Sequence, residues 1–341
     1  MPAQPLREQA SFRRSERNEH ASFLQAYARG QTEGDDECAA VAQTVLFDIF
    51  VPSSRTQPVL LTNGAKSVTS RASSELLLVG SYPADSTDTA LRTAAAGFSD
   101  LVFALPDGET GLRARWVAHE YYTLISPNPA VETINVIPSG AKPRQEWEKP
   151  MFRIRPGVQD LHFVSWPRID ETIASYREFR ALRHAGVIPA HLRFQVGLPF
   201  PFSAMHAFKE NFAADYPVAE RAYEDLVTRE FARLLAEIPA DELAIQWDVC
   251  YEVLDIERVL PWSGEGAWER FAGPVNRITR LIPEEVAVGY HLCYGTSPEW
   301  PMYEARDMEL VVRMANYAVA NSGRTVDWLH LAGPRTLRSE D

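Results

Sequence analysis

From residue 75 onward, short apolar runs alternate with longer amphipathic stretches, and most runs end in a cluster of Gly, Pro and polar residues. The run Leu76-Leu77-Leu78-Val79 reads as a buried strand closed by Gly80-Ser81-Tyr82-Pro83. A helix follows, with its body over 90–98 and either Ser86 or Thr87 as its N-cap. The next strand, 101–105, runs into Pro106-Asp107-Gly108-Glu109-Thr110-Gly111, and a helix is expected over 112–124. Residues 126–160 form a Pro-rich insertion, read as a loop or lid with a short strand near 152–155. Beyond it the pattern predicts a helix over 172–185, a strand over 192–196 and a long amphipathic helix over 217–238. A strand over 243–247 ends in Asp248, broken helical turns fill 253–282, and a strand over 285–292 leads into a Gly-containing loop. A helix over 308–320 and a strand over 326–331 complete the series.

Strand and helix in alternation, with short, wholly apolar strands, call for a parallel sheet covered on both faces. Polar residues follow the strand ends repeatedly: Ser81, Asp107 with Glu109, Asp248, and His291 with Cys293. A doubly wound sheet would carry a Gly-rich phosphate loop after its first strand, and Gly80-Ser81-Tyr82-Pro83 is no such loop. In a (β/α)8 barrel the strand C-termini open on one mouth, so polar residues far apart in sequence converge there. The expected fold is therefore α/β, of the (β/α)8 TIM-barrel type. About six parallel strands can be read where a closed barrel has eight, so the barrel is expected to lack its last one or two β/α units. Residues 1–74 are polar and carry both charge signs, and they are expected to form a poorly ordered extension preceding a barrel domain over 75–341.

Charge narrows the partners. Asp and Glu number 46 against 34 Lys and Arg, giving a net charge of −12, and Arg13-Arg14-Ser15-Glu16-Arg17 is the one short basic stretch. A nucleic-acid partner is not expected. No apolar run reaches ~18 residues, so no membrane span is expected. Three scattered cysteines, Cys38, Cys250 and Cys293, suit a reducing, cytoplasmic compartment rather than a disulfide framework. The expected partner is a small-molecule substrate, with self-association across an open sheet edge as the protein–protein alternative.

Candidate chemistry gathers at the strand ends. His291 and Cys293 lie two residues apart at the end of a strand, so both side chains share one face and an imidazole nitrogen and a sulfur can converge on one zinc ion. The alternative is a strand-end cysteine acting as a small buried hydrophobe. Glu109 and Asp248 at the same mouth could bind an ammonium group, or one could serve as a general base if desolvated; the alternative is a pair of cap or loop carboxylates. Trp166, Phe200, Phe202 and His206 either line an apolar pocket or belong to the core.

With these residues assembled, residues 75–335 resemble the catalytic C-terminal domain of cobalamin-independent methionine synthase and, more broadly, the uroporphyrinogen decarboxylase and methionine synthase superfamily of barrels. The likeness rests on five segments in order: Val79-Gly80-Ser81-Tyr82-Pro83, Asp107-Gly108-Glu109 followed by Arg115, Ile245-Gln246-Trp247-Asp248, His291-Leu292-Cys293-Tyr294, and Arg306-Asp307-Met308-Glu309-Leu310. The resemblance implies that Ser81, Glu109 and Asp248 hold an amino-acid substrate by its amine, with Asp107 and Arg115 beside them. It also implies that His291 and Cys293 ligate a zinc ion that activates a substrate thiol toward a methyl donor. The chain departs from that pattern in three ways. The last strand–helix units are not readable, and no cysteine follows Cys293, which leaves His330 as a substitute ligand or a structural histidine. The family's glutamate ligand has only Glu304 as its nearest counterpart.

The leading expectation is a zinc-dependent methyl or alkyl transferase acting on a small thiol or amino-acid-like substrate, distinct from ordinary methionine synthase. The alternatives are a metal-independent lyase of the uroporphyrinogen decarboxylase type, with Asp107, Asp248 and Arg115 handling a carboxylated substrate, and a non-catalytic barrel remnant.

Overall fold

The computed structural model describes residues 49–50, 76–114, 116–135, 150–295 and 303–333. Its centre is a six-stranded sheet. In chain order the strands are β1 (Ile49–Phe50), β2 (Ala104–Pro106), β5 (Arg193–Pro199), β6 (Leu243–Val249), β7 (Ala287–Leu292) and β8 (Trp328–Leu331), and in space they run β1-β8-β7-β6-β5-β2. β2, β5, β6, β7 and β8 are parallel; β1 pairs antiparallel with β8, Phe50 opposite His330. β1 comes from the segment expected to be an extension, and the remainder of residues 1–75 lies outside the described residues.

The strand expected over 76–79 is extended chain without a regular ladder. It touches β2's flank through Leu76 N–H to Leu101 O (3.0 Å), Tyr82 N–H to Gly108 O (3.2 Å) and one parallel bridge, Ser81 to Gly108. Its carbonyls are met by side chains instead. Gln195 Nε2 donates to Leu78 O and Val79 O, and Gln246 Nε2 donates to Val79 O. Backbone acceptors that a neighbouring strand would normally satisfy are thus satisfied by two buried amides.

The parallel sheet curls. Phe103, just before β2, meets Trp328 of β8 edge-to-face with ring centroids 5.1 Å apart. Three strands lie between β2 and β8, so in a flat sheet they would stand about 19 Å apart. The concave face is graded along the strands. Its lowest layer is small and apolar: Leu77, Ala104, Ala244 and Ala287, packed with Trp328. Next comes the register row Gly197, Gln246, Gly289, Trp328, and at the strands' C-terminal ends the row Pro199, Asp248, His291, His330. A β-carbon on Gly289 would overlap the Trp328 indole, so only glycine lets that ring lie across the curl.

On the convex face Phe194, Val196, Leu198, Ile245, Trp247, Val288 and Tyr290 are buried. Among the described residues the α-helices are α1 (Thr87–Phe98), α2 (Trp116–Glu120), α3 (Pro167–His184), α4 (Pro201–Met205), α5 (Phe212–Glu237), α6 (Tyr251–Ile256), α7 (Ala267–Thr279) and α8 (Glu309–Asn321). Ser86 is the N-cap of α1, its Oγ accepting from Thr89 N–H at 3.2 Å. The helix expected over 112–124 is instead a 3-10 turn (Gly111–Ala114), α2 and a five-residue π-helix (Tyr121–Ile125). α5 begins at Phe212, five residues before the start expected at 217, and keeps Pro217 in its second turn, where one intrahelical bond is lost. The 126–160 insertion holds an antiparallel hairpin, β3 (Val131–Asn135) with β4 (Met151–Ile154); only β4 is expected from sequence.

Trp166, Phe200, Phe202 and His206 belong to the core: each is at most 1% exposed. Among the described residues no helix is long and apolar enough to cross a membrane. The described elements thus form an α/β unit around a curled parallel sheet.

Candidate functional site

The concave face becomes polar where the strands end, and there the sequence-predicted carboxylates meet. Asp248 stands in β6 directly opposite Pro199 on one side and His291 on the other. Glu109 reaches the same place from the loop after β2. Gly197 makes the meeting possible: a β-carbon there would sit 2.9 Å from Asp248 Oδ2 and 3.6 Å from Glu109 Oε1. Both acids are buried, Glu109 at 7% exposure and Asp248 at 7%.

The loop that delivers Glu109 is conformationally unusual. Gly108 has φ 78°, and a β-carbon on it would press against Ala90 of α1 at 2.8 Å. Glu109 itself has φ 47°, a left-handed conformation uncommon outside glycine. It is held there by its own N–H, which donates to Asp107 Oδ1 at 2.9 Å. Its carboxylate is held by a short hydrogen bond from Ser81 Oγ and by Arg168 Nη1 at 3.4 Å from Oε1. Strain of this sort persists where surrounding contacts over-determine it.

Asp107 takes a short ion pair from Arg113 Nη1. Arg113 also faces Glu171, Nε to Oε2 at 3.4 Å. Arg115, the arginine expected at the site, lies outside the described residues, and Arg113 is the guanidinium that sequence reasoning passed over. Arg168, Glu120 and Arg113 are the further site residues it missed. Arg168 Nε binds Glu120 Oε1 at 2.5 Å, with Arg168 2% and Glu120 0% exposed. Trp166 Nε1 donates to the other Glu120 oxygen at 2.9 Å. One signal for Arg168 was present: a cation in the first turn of a helix opposes the macrodipole, so it needs an acidic partner nearby.

These contacts set the electrostatics. Burial works to raise the Glu120 carboxyl, but Arg168 and His119 outweigh it and hold it below the usual range. Burial raises Glu109, against the opposing pull of Arg168 and the Ser81 hydrogen bond. Burial pushes Asp248 up to about 8, with the charge on Glu109 adding to the rise while His291 and the Gln246 amide, 2.8 Å from Oδ1, oppose it. Near neutral pH the Glu109–Asp248 pair therefore retains a proton, because two adjacent buried carboxylates cannot both ionise without a cation between them. A narrow cleft lined by Gly80, Asp107, Glu109, Arg113, Arg168, Thr172 and Gly197 opens beside Glu109.

His291 and His330 stack with ring centroids 4.7 Å apart and Nδ1 atoms 2.5 Å apart. The Cys293 thiol lies well below the usual thiol range, first through a hydrogen bond with Cys250 and next through His291, against the effect of burial. Structural or catalytic zinc takes three or four protein donors. Among the described residues no three His, Cys, Asp or Glu side chains are arranged to hold a metal ion, and Glu304 is exposed. Among the described residues His291 and Cys293, to which the resemblance assigns zinc, are not joined by a third such donor.

Ser81, Glu109, Asp248, His291 and Cys293 therefore share one end of the concave face, with Asp107 beneath them as a positioning carboxylate. No family model, curated protein or solved structure matches the chain.

Proposed function

We propose that this chain is an enzyme of the methionine-synthase type, built on a (β/α)8-type barrel, that binds a small amino-acid-like substrate by its ammonium group and transfers a methyl or alkyl group to its thiol. The observation that carries this reading is the pair Glu109 and Asp248: two buried carboxylates side by side over Gly197, with one guanidinium, Arg168, near Glu109 and bound more closely to Glu120. An ammonium group placed between them would take the place of the retained proton and, with three N–H donors, could hydrogen-bond both carboxylates at once. Ser81 fixes the Glu109 carboxylate in place for that contact.

The same geometry offers a base. Once an ammonium displaces the shared proton, Asp248 is an ionised carboxylate, less basic than in the unliganded pair, where burial lifts it to about 8. An ionised carboxylate there can act as a general base toward a thiol proton within hydrogen-bond reach. The resulting thiolate would attack the carbon of the donor's methyl or alkyl group, and the leaving group would depart with the bonding electron pair. Recognition of a carboxylated substrate by arginine, as in the lyase alternative, finds less support: Arg113 and Arg168 are already neutralised by Asp107, Glu171, Glu120 and Glu109.

Calorimetric titration with homocysteine and with its des-amino thiol acid tests the reading. The amino acid is expected to bind, and the des-amino acid to bind more weakly by about tenfold or more, the worth of one charge-assisted hydrogen bond. Glu109→Gln should erase most of that difference. Equal affinity for the two thiols in the wild-type protein would remove the ammonium site from the account.

A further inference from the structure

We propose that Cys250 and Cys293 form an oxidisable dithiol at the mouth of the curled sheet, a site at which a peroxide closes an intramolecular disulfide between the ends of β6 and β7. Val249 and Leu292 are register partners, and the ladder continues one step further, with Cys293 N–H donating to Val249 O at 3.2 Å. Cys250 and Cys293 are therefore the residues that directly follow a register pair on adjacent parallel strands. Cys250 is the N-cap residue of α6, where the chain leaves β6, and Cys293 is the first residue past β7. The two thiols hydrogen-bond to each other, and both are thiols rather than half-cystines. Adjacent strands stand about 4.8 Å apart where Val249 pairs with Leu292, one residue before the two cysteines, and a disulfide spans a Cα separation of about 4.4–6.8 Å. Cys250 is 7% exposed and Cys293 more open, so a small oxidant meets Cys293 first.

The chemistry balances with hydrogen peroxide as the oxidant. The Cys293 thiolate attacks one peroxide oxygen, the O–O bond breaks, and hydroxide leaves, taking up a proton as water; Cys293 becomes a sulfenic acid. The Cys250 sulfur then attacks the Cys293 sulfur, the S–O bond breaks, and a second water departs with the proton of Cys250. Two thiols have been oxidised by two electrons and one peroxide reduced to two waters. The disulfide would lie two residues beyond Asp248 and His291, at the C-terminal end of the same two strands. The effect on ligand binding rests on the ammonium-site reading above; the disulfide itself does not.

The test is peptide mass spectrometry of the full chain after treatment with hydrogen peroxide and alkylation, with Cys38→Ser alongside to exclude exchange with the third cysteine. The expected result, in both proteins, is a Cys250–Cys293 linked peptide that dithiothreitol reverses. In Cys250→Ser, Cys293 should accumulate as a sulfenic acid trapped by dimedone and pass on to the sulfinic acid. Circular dichroism on each sample establishes that the protein stays folded. If folded wild-type protein shows Cys293 over-oxidised while Cys250 is still alkylated, or both thiols alkylated after peroxide, the dithiol proposal is overturned. Homocysteine titration of the reduced protein reads the ammonium site separately, so a failed disulfide and a failed ligand site give different results.

Discussion

Arg168→Met is expected to destabilise the fold by about 3–5 kcal/mol near neutral pH, the cost of breaking a buried ion pair by removing one partner. Arg168 is 2% exposed and faces Glu120, which is 0% exposed, so its loss strands a carboxylate that water cannot reach. The same guanidinium lies near Glu109, so two acids lose their nearest cation at once. Chemical denaturation of the variant measures the loss. Glu120 is held low in the native protein chiefly because Arg168 and His119 overcome burial, and without Arg168 burial dominates. The variant should therefore recover part of its stability as pH falls and Glu120 takes up a proton. Adding Glu120→Gln to Arg168→Met should restore a further part, since an amide needs no counter-charge. A loss below about 1 kcal/mol would mean that the pair is exposed in solution, because surface ion pairs contribute no more than that.

Trp328→Ala should cost a similar amount, about 3–5 kcal/mol, through the cavity it leaves in the curl. Trp328 is 1% exposed, lies across Gly289 and meets Phe103 from the opposite side of the sheet. Gly289→Ala alone should cost about 1–3 kcal/mol, because its methyl group has no room beside the indole. Combined with Trp328→Ala, the same methyl should become neutral or favourable. Non-additivity of that sign in a double-mutant cycle is the signature of a ring plugging a curled sheet. Additive losses would mean that the two residues do not touch in solution.

The parallel strands were legible because their sequences are short, wholly apolar and punctuated by Gly, Pro and Asp. Their C-terminal ends were legible for the same reason, and Ser81, Glu109, Asp248, His291 and Cys293 do gather there. The first strand was not legible as the side-chain-bound segment that it is. Its carbonyls are satisfied by Gln195 and Gln246, residues 116 to 167 positions away, and no local pattern encodes that. The strand β3 was hidden in a Pro-rich insertion, where Val131-Glu132-Thr133-Ile134-Asn135 has little apolar alternation to mark it. Arg168 was passed over because it lies 59 positions from Glu109 in the chain and carries no motif of its own. Arg113 was passed over in favour of Arg115 because spacing along a turn does not show which arginine faces Asp107.

The pair at Gly197 is the centre of the account, and proton release on ligand binding tests it most directly. Homocysteine is titrated into the protein at pH 7 in buffers of different ionisation enthalpy, with Asp248→Asn alongside. Asp248 titrates at about 8, so at pH 7 the unliganded pair is largely protonated, and an ammonium that takes the proton's place should expel close to one proton per ligand. The release should shrink above about pH 9, where the carboxyl has already ionised, and it should be absent in Asp248→Asn. Binding without proton release at pH 7, or the same release from wild type and Asp248→Asn, would contradict the account.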